Sequence, residues 1–250
     1  MTPAVDPSAH FVEKWHRREP EMALAEVFCP PEQRPRFRAW GALLYELREA
    51  TFELSDARVT AAKTQWWAEE LLLVARGAGR HPVTSGLSPT LPWAALARAL
   101  VEQAALDARP VDAAQSLALI SPLAEAIAAV EAGVQGIAPP PRAVAVNLLL
   151  QRLPHGLVAD DQARLPLNLL ARHGLTVAQV AQGQGEPLLQ DWARELLAAL
   201  PPDAPPSSLF RRLRTGFDRA RLQRLAKGRG FDPPPAPASL WRAWRLARAG

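Results

Sequence analysis

The strongest constraint on this chain is the period of its apolar residues. Alanine, leucine and arginine dominate the 250 residues, and no segment sustains an alternation of Val, Ile and Thr at a period of two. A sheet therefore has little to be built from, while apolar groups at helical spacing recur along the whole length. Proline and glycine cut this pattern into lengths. They predict helices over 31–52, from a Ser55 cap with Asp56 in the first turn to Gly77, from Thr90 and Pro92 to Asp107, and from Asp112 to Gly133 with a bend at Pro122. Further helices are predicted over 141–152, 186–200 and 207–227; LPHGLVADDQAR, at 153–164, reads as a loop, and LPLNLLARHG as a short helix stopped by Gly174. A chain of this length can bury one sizeable core, so the expected fold is all-α, a single-domain helical bundle over 1–250. The proline-rich stretches 201–208 and 232–239 read as stiff connectors that need not separate domains.

Charge is unevenly placed. Residues 201–250 carry eleven Lys/Arg against three Asp/Glu, a surplus of +8, leaving eighteen against twenty-two over residues 1–200. The segment 232–250 is a proline-rich connector followed by a basic helix, SLWRAWRLARAG. On a helix Leu240, Trp241 and Trp244 fall together with Ala247, while Arg242, Arg245 and Arg248 spread over the other side. Two readings fit this pattern: the tryptophans pack on the bundle among solvated arginines, or the helix lies on a membrane surface. The packing reading is preferred. Nucleic acid is not expected, since no interleaved stacking aromatics accompany the charge.

Single-residue chemistry is sparse. The lone Cys29 excludes an intramolecular disulfide and fits a reducing cytoplasm. The first residues, MTPAVDPSAHFVEKW, have neither a basic nor an apolar leader region, and the apolar runs are broken before the ~20 residues needed to span a bilayer. The expectation is a cytoplasmic protein, soluble or peripheral to the inner face of the membrane. Nucleophile-elbow, phosphate-loop and dinucleotide-binding motifs are all missing, and the five histidines show no zinc spacing. His81 and His173 fall in turns, where capping is the preferred role. Trp66 and Trp67 are adjacent and cannot face the same way on a helix; core packing is preferred for each.

Two segments carry a family resemblance. RLPHGLVADDQARLPLNLLARHG, Arg152 to Gly174, is similar to the second signature of the squalene/phytoene synthase family, roughly LRDVxEDxxxGRxYLPxDLLxxHG, with its acids removed. Arg152, Leu165, Pro166, His173 and Gly174 match, whereas Leu153, Gly156 and Leu157 stand at the acidic positions and Asn168 replaces the Asp after LP. AWGALLYELREATFE, Ala39 to Glu53, resembles the first signature, AxYAFCRxxDDIxDE, with Arg48 and Phe52 where the paired aspartates belong. Weaker likenesses run in order from FVEKW at Phe11 through KTQWWAEEL at Lys63 and HPV at His81 to RGFD at Arg229 and LWRAWRLA at Leu240.

The resemblance implies a bundle of the isoprenoid synthase type with a central apolar slot. In that family two aspartates spaced i, i+4 share a helix face and hold Mg2+ against a substrate diphosphate. An arginine and a phenylalanine cannot do so, and Phe52, Leu153 and Leu157 would make the slot's polar end apolar. The pieces LPHG, LPLN and HGLT also resemble a subgroup that keeps the framework and loses the acids, the mitochondrial complex I assembly factors of phytoene-synthase-like fold. The implied function is thus non-catalytic, with no cofactor or metal, through a protein partner or an apolar lipid. The alternative is a divergent Mg2+-dependent prenyl transferase condensing two prenyl diphosphates in isoprenoid biosynthesis. Its substitute acids would be Glu49 and Glu53, four residues apart, facing Asp160 and Asp161 after a register change of about a hundred degrees.

Overall fold

The computed structural model describes residues 6–157, 163–201 and 207–249, and among these no strand occurs. The chain opens with α1 (Ala9–Arg18) and α2 (Pro20–Ala25), followed by 3₁₀ turns at Glu26–Phe28 and Pro31–Gln33. The long helices α3 (Arg34–Phe52), α4 (Ala57–Val74), α5 (Trp93–Ala105), α6 (Ala113–Gln135) and α7 (Pro141–Gly156) come next. Short α8 (Leu167–His173) and α9 (Val177–Gln179) lead through a π turn at Val180–Gln184 to α10 (Glu186–Ala199), α11 (Leu209–Leu225) and α12 (Ala236–Arg248).

Local chemistry sets most of the boundaries. Asp112 accepts from the Gln115 N–H at the start of α6, and Gly136, at φ 83°, ends it in the left-handed region that glycine enters without strain. Gly174 stops α8 in the same way, and Thr176 with Gln179 closes a capping box on α9. The cap of α4 is Asp56, not the expected Ser55: its carboxylate accepts from the N–H groups of Arg58 and Val59, as a shorter-chained serine one residue earlier does not.

Two larger departures matter for the site. The sequence pattern assigns no element before Pro31, where the structure has α1 and α2, broken at Glu19. Pro20 disfavours the α conformation for the residue before it, and Glu19 accordingly takes φ −127°, ψ 66°. The helix expected to end at Arg152 continues through Pro154 to Gly156, held beyond the proline by the Leu157 N–H donating to Leu153 O at 3.1 Å. The expected loop therefore starts later, and its centre, with Asp160 and Asp161, lies outside the described residues.

α3 is the axis of the bundle. It packs against α1, α4, α5, α6 and α7, and it is buried nearly all round. Gly41 permits this closeness on one side, since a Cβ there would sit 2.3 Å from the Trp15 ring of α1. A contiguous apolar core links Trp15, Met22, Trp40, Leu71, Leu96, Ile120, Val146, Leu196, Phe210 and Ala243 across the helices. Trp67 belongs to it as expected, whereas Trp66, also expected to pack in the core, is 42% exposed and meets Trp67 edge-on, since adjacent helical residues face different ways. α6 is long and apolar enough to cross a membrane by length and composition, a departure from the expected broken runs. It is nonetheless half buried inside the bundle, where its Glu131 pairs with Arg211 of α11.

Candidate functional site

The two segments that resemble family signatures do meet. α3 ends beside the end of α7: the Arg152 guanidinium lies over the Phe52 ring at 4.9 Å, and His155 Nε2 is 3.8 Å from a Glu53 oxygen. Phe52 and Leu153 are buried here, and Leu157, the C-cap of α7, is partly buried against the core. Asn168 is placed differently, its backbone N–H tied to Val111 O at 2.9 Å in the first turn of α8.

What fills this end is a network of ion pairs. Arg48 donates to Glu19 Oε1 at 2.8 Å and to Glu53 Oε1 at 3.2 Å, and Arg214 of α11 grips Glu19 through both carboxylate oxygens at 3.3 and 2.5 Å. Arg18 Nη2 adds a contact with Glu53 at 3.7 Å, and Arg221 pairs with Glu21 at 2.6 Å. Asn147 of α7 donates to Asp218 Oδ2 at 2.8 Å. Arg48, Arg214, Glu19, Glu21 and Asp218 are all buried.

Burial alone would raise the Glu19 carboxyl, but Arg214 and Arg48 outweigh it and hold the group at about 2. Burial likewise opposes the charge on Arg48, and Glu19 with Glu53 reverses that and raises its pKa. Asp218 and Glu21 go the other way: burial raises both, against the pull of Arg214 on the first and Arg221 on the second.

The proposed substitute acids do not form a pair. Glu49 is claimed by Lys14 of α1 at 2.9 Å and by a short contact with Lys63 of α4, whereas Glu53 lies just past the helix end and turns to Arg48 and Arg18. Burial raises the Glu49 carboxyl, but its bonds to the two lysines prevail and lower it. Among the described residues no three His, Cys, Asp or Glu side chains are gathered as a metal site.

Among the described residues the donor set does not fit Mg2+, which needs several hard oxygens free to coordinate it. The carboxylates of Glu19 and Glu53 are already paired with guanidinium groups, and that of Glu49 with two lysines. Among the described residues Arg48 Nη2, Arg214 Nε and Arg221 Nε are buried without an acceptor, and Glu21 Oε2 without a donor. A divalent cation would enter a cluster already crowded with positive charge.

Sequence reasoning missed Glu19, Arg18, Arg214, Arg221 and Asp218. Glu19 carried a signal in Pro20, the residue that forces it out of the helix. On α11, Arg211, Arg214, Asp218 and Arg221 recur at i, i+3, i+7 and i+10, a single stripe. That stripe is buried, so part of the basic surplus of the last fifty residues is interior charge.

The C-terminal helix also departs from expectation. The small residues Ser239 and Ala243 face inward, and Leu246 packs over Gly216 of α11. Trp241 and Trp244 point outward at 58% and 43% exposure. The arginines do not share a side opposite them: Arg245 stacks on Trp241 and Arg248 on Trp244, whereas Arg242 turns inward and is half-buried. The histidines of the family-like turns have ordinary partners, with His81 Nδ1 accepting from the Val83 N–H and His173 meeting Asp191 at 2.9 Å. No protein-family model and no curated protein matches the chain.

Proposed function

We propose that the protein is a squalene/phytoene synthase-like bundle of the isoprenoid synthase type that performs no prenyl transfer and acts by binding. Its first ligand in this reading is a protein partner, as for an assembly factor; an apolar lipid is the second. The observation that carries the reading is Arg48. At a position where the resembling family has a metal-binding aspartate, its guanidinium is buried between Glu19 and Glu53 and consumes the acids nearest to it. The packing of Arg152 on Phe52 and the burial of Leu153 support the same view, because they occupy space in which a diphosphate and its ions would have to sit.

The test uses the purified 250-residue chain with Mg2+ and prenyl diphosphates, with diphosphate release as the readout. No release above a protein-free control is expected. Release that disappears on Glu49→Ala or Glu53→Ala would establish the prenyl transferase alternative instead. Co-purification in mild detergent then asks which partner is held, and recovery of respiratory-complex subunits is the outcome that fits the assembly-factor likeness.

A further inference from the structure

We infer that α12 is a docking surface for an anionic phospholipid bilayer, with Trp241, Trp244, Arg245 and Arg248 as the contact. These four side chains stand at i, i+3, i+4 and i+7, so they form one stripe along the helix. All four are exposed, with Leu240 beside them. The orientation is unusual on hydrophobic grounds. A helix that packed to bury its largest apolar groups would turn both indoles inward, yet here the serine and the alanine face α2 and α11. The 3₁₀ turn at Glu26–Phe28, which packs beside α12, exposes Val27 as well.

The chemistry of this stripe selects its partner. Indoles favour the water–hydrocarbon boundary, where an apolar ring and a polar N–H are both satisfied, and arginines at the same depth reach phosphate oxygens. Each guanidinium already lies over an indole, 4.7 Å from the Trp241 ring centre and 5.0 Å from that of Trp244, so aromatic and charge are presented as one unit. No acidic residue follows Asp232 in the sequence. A second copy of the chain is therefore a poor occupant, because a symmetric contact through this face would set Arg245 and Arg248 against their own equivalents. The helix has 13 residues and is roughly 20 Å long, short of the ~30 Å hydrocarbon core, so it lies on the bilayer and does not span it. α12 carries this surface whatever the interior binds.

The experiment is flotation of the full chain with phosphatidylcholine vesicles, with and without phosphatidylglycerol. Wild-type protein is expected to float with the anionic vesicles, to stay behind with the neutral ones, and to be released as salt rises. Arg245→Glu with Arg248→Glu should lower the partition by roughly thirtyfold or more, and Trp241→Ala with Trp244→Ala by about tenfold. Both variants should keep the wild-type circular dichroism and melting temperature, since the altered groups face solvent. Brominated lipid should quench tryptophan emission in the wild type and not in Trp241→Phe with Trp244→Phe. Failure to float, equal flotation with neutral vesicles, or flotation and quenching unchanged in these variants would overturn the proposal; so would salt-sensitive capture of nucleic acid in place of vesicles.

Discussion

Arginine stacked on an aromatic ring occurs in two places with opposite surroundings. Inside the bundle Arg48 lies over Tyr45 and Arg152 over Phe52, and Glu19 and Glu53 supply counter-charge to Arg48. On α12 Arg245 and Arg248 cover Trp241 and Trp244 with no carboxylate on the same helix. The stacking geometry is nearly the same, so it cannot be what distinguishes the regions. The counter-ion distinguishes them. A guanidinium supplied with buried carboxylates becomes part of the interior, whereas one without them must stay with water or find an anion elsewhere.

The largest way to break this contrast is to remove the shared acid. Glu19→Gln leaves Arg48 and Arg214 without their common carboxylate and should destabilise the fold by about 3–5 kcal/mol, measured by chemical denaturation. The same residue gives a pH signature. A carboxyl held at about 2 against an ordinary 4.5 stabilises the folded state fully above the unfolded value. That contribution is lost as pH falls through 4.5 towards 2 and is worth on the order of 3 kcal/mol. Glu21 and Asp218, raised by burial, act oppositely: they favour folding at low pH, and the effect is lost as pH rises through their raised values. The difference between wild type and Glu19→Gln therefore isolates the Glu19 term, and an unchanged acid limb would contradict its role as the hub.

A smaller effect comes from the frame that delivers Glu19. Gly41→Ala places a methyl against the rigid Trp15 ring, whose side chain anchors α1 to α3. Overpacking there should cost about 1–3 kcal/mol, partly offset by alanine's better helix propensity, and should lower the melting temperature without changing vesicle binding. The smallest expected change is on α12. Replacing both Arg245 and Arg248 by Ala should move folding stability by no more than about 0.5 kcal/mol per site, because the pairs are exposed. A loss as large as that of Glu19→Gln would erase the distinction between the two regions.

Much of the fold was legible locally. Asp112 and Gly174 mark boundaries through their own backbone chemistry, whereas α6 passes the expected stop at Gly133 and ends only at Gly136, which takes the left-handed conformation; α3, α10 and α11 follow from apolar spacing bounded by proline and glycine. α1 and α2 were overlooked because Pro20 interrupts a short stretch whose apolar face is narrow. At the site, Arg48 and Phe52 could be named from their positions in α3, but their partners could not. Glu19 and Arg214 are 195 positions apart, and only the closing of α11 onto the junction of α1 and α2 brings them within hydrogen-bonding distance. Glu49 and Glu53, at a spacing that suggests a shared face, separate because one is still in the helix and the other has left it.

The amino-acid order therefore determined that the chain is helical, where most helices begin and end, and that Arg48 and Phe52 lie one turn apart on α3. Those properties depend on neighbours a few residues apart, through hydrogen bonds, caps and the period of the helix. Tertiary structure decided which charges are interior and which face solvent: the α11 stripe of Arg211, Arg214 and Arg221 is buried, while the tryptophans of α12 are not. That choice rests on whether packing brings a carboxylate to a guanidinium, a long-range coincidence that local spacing does not encode.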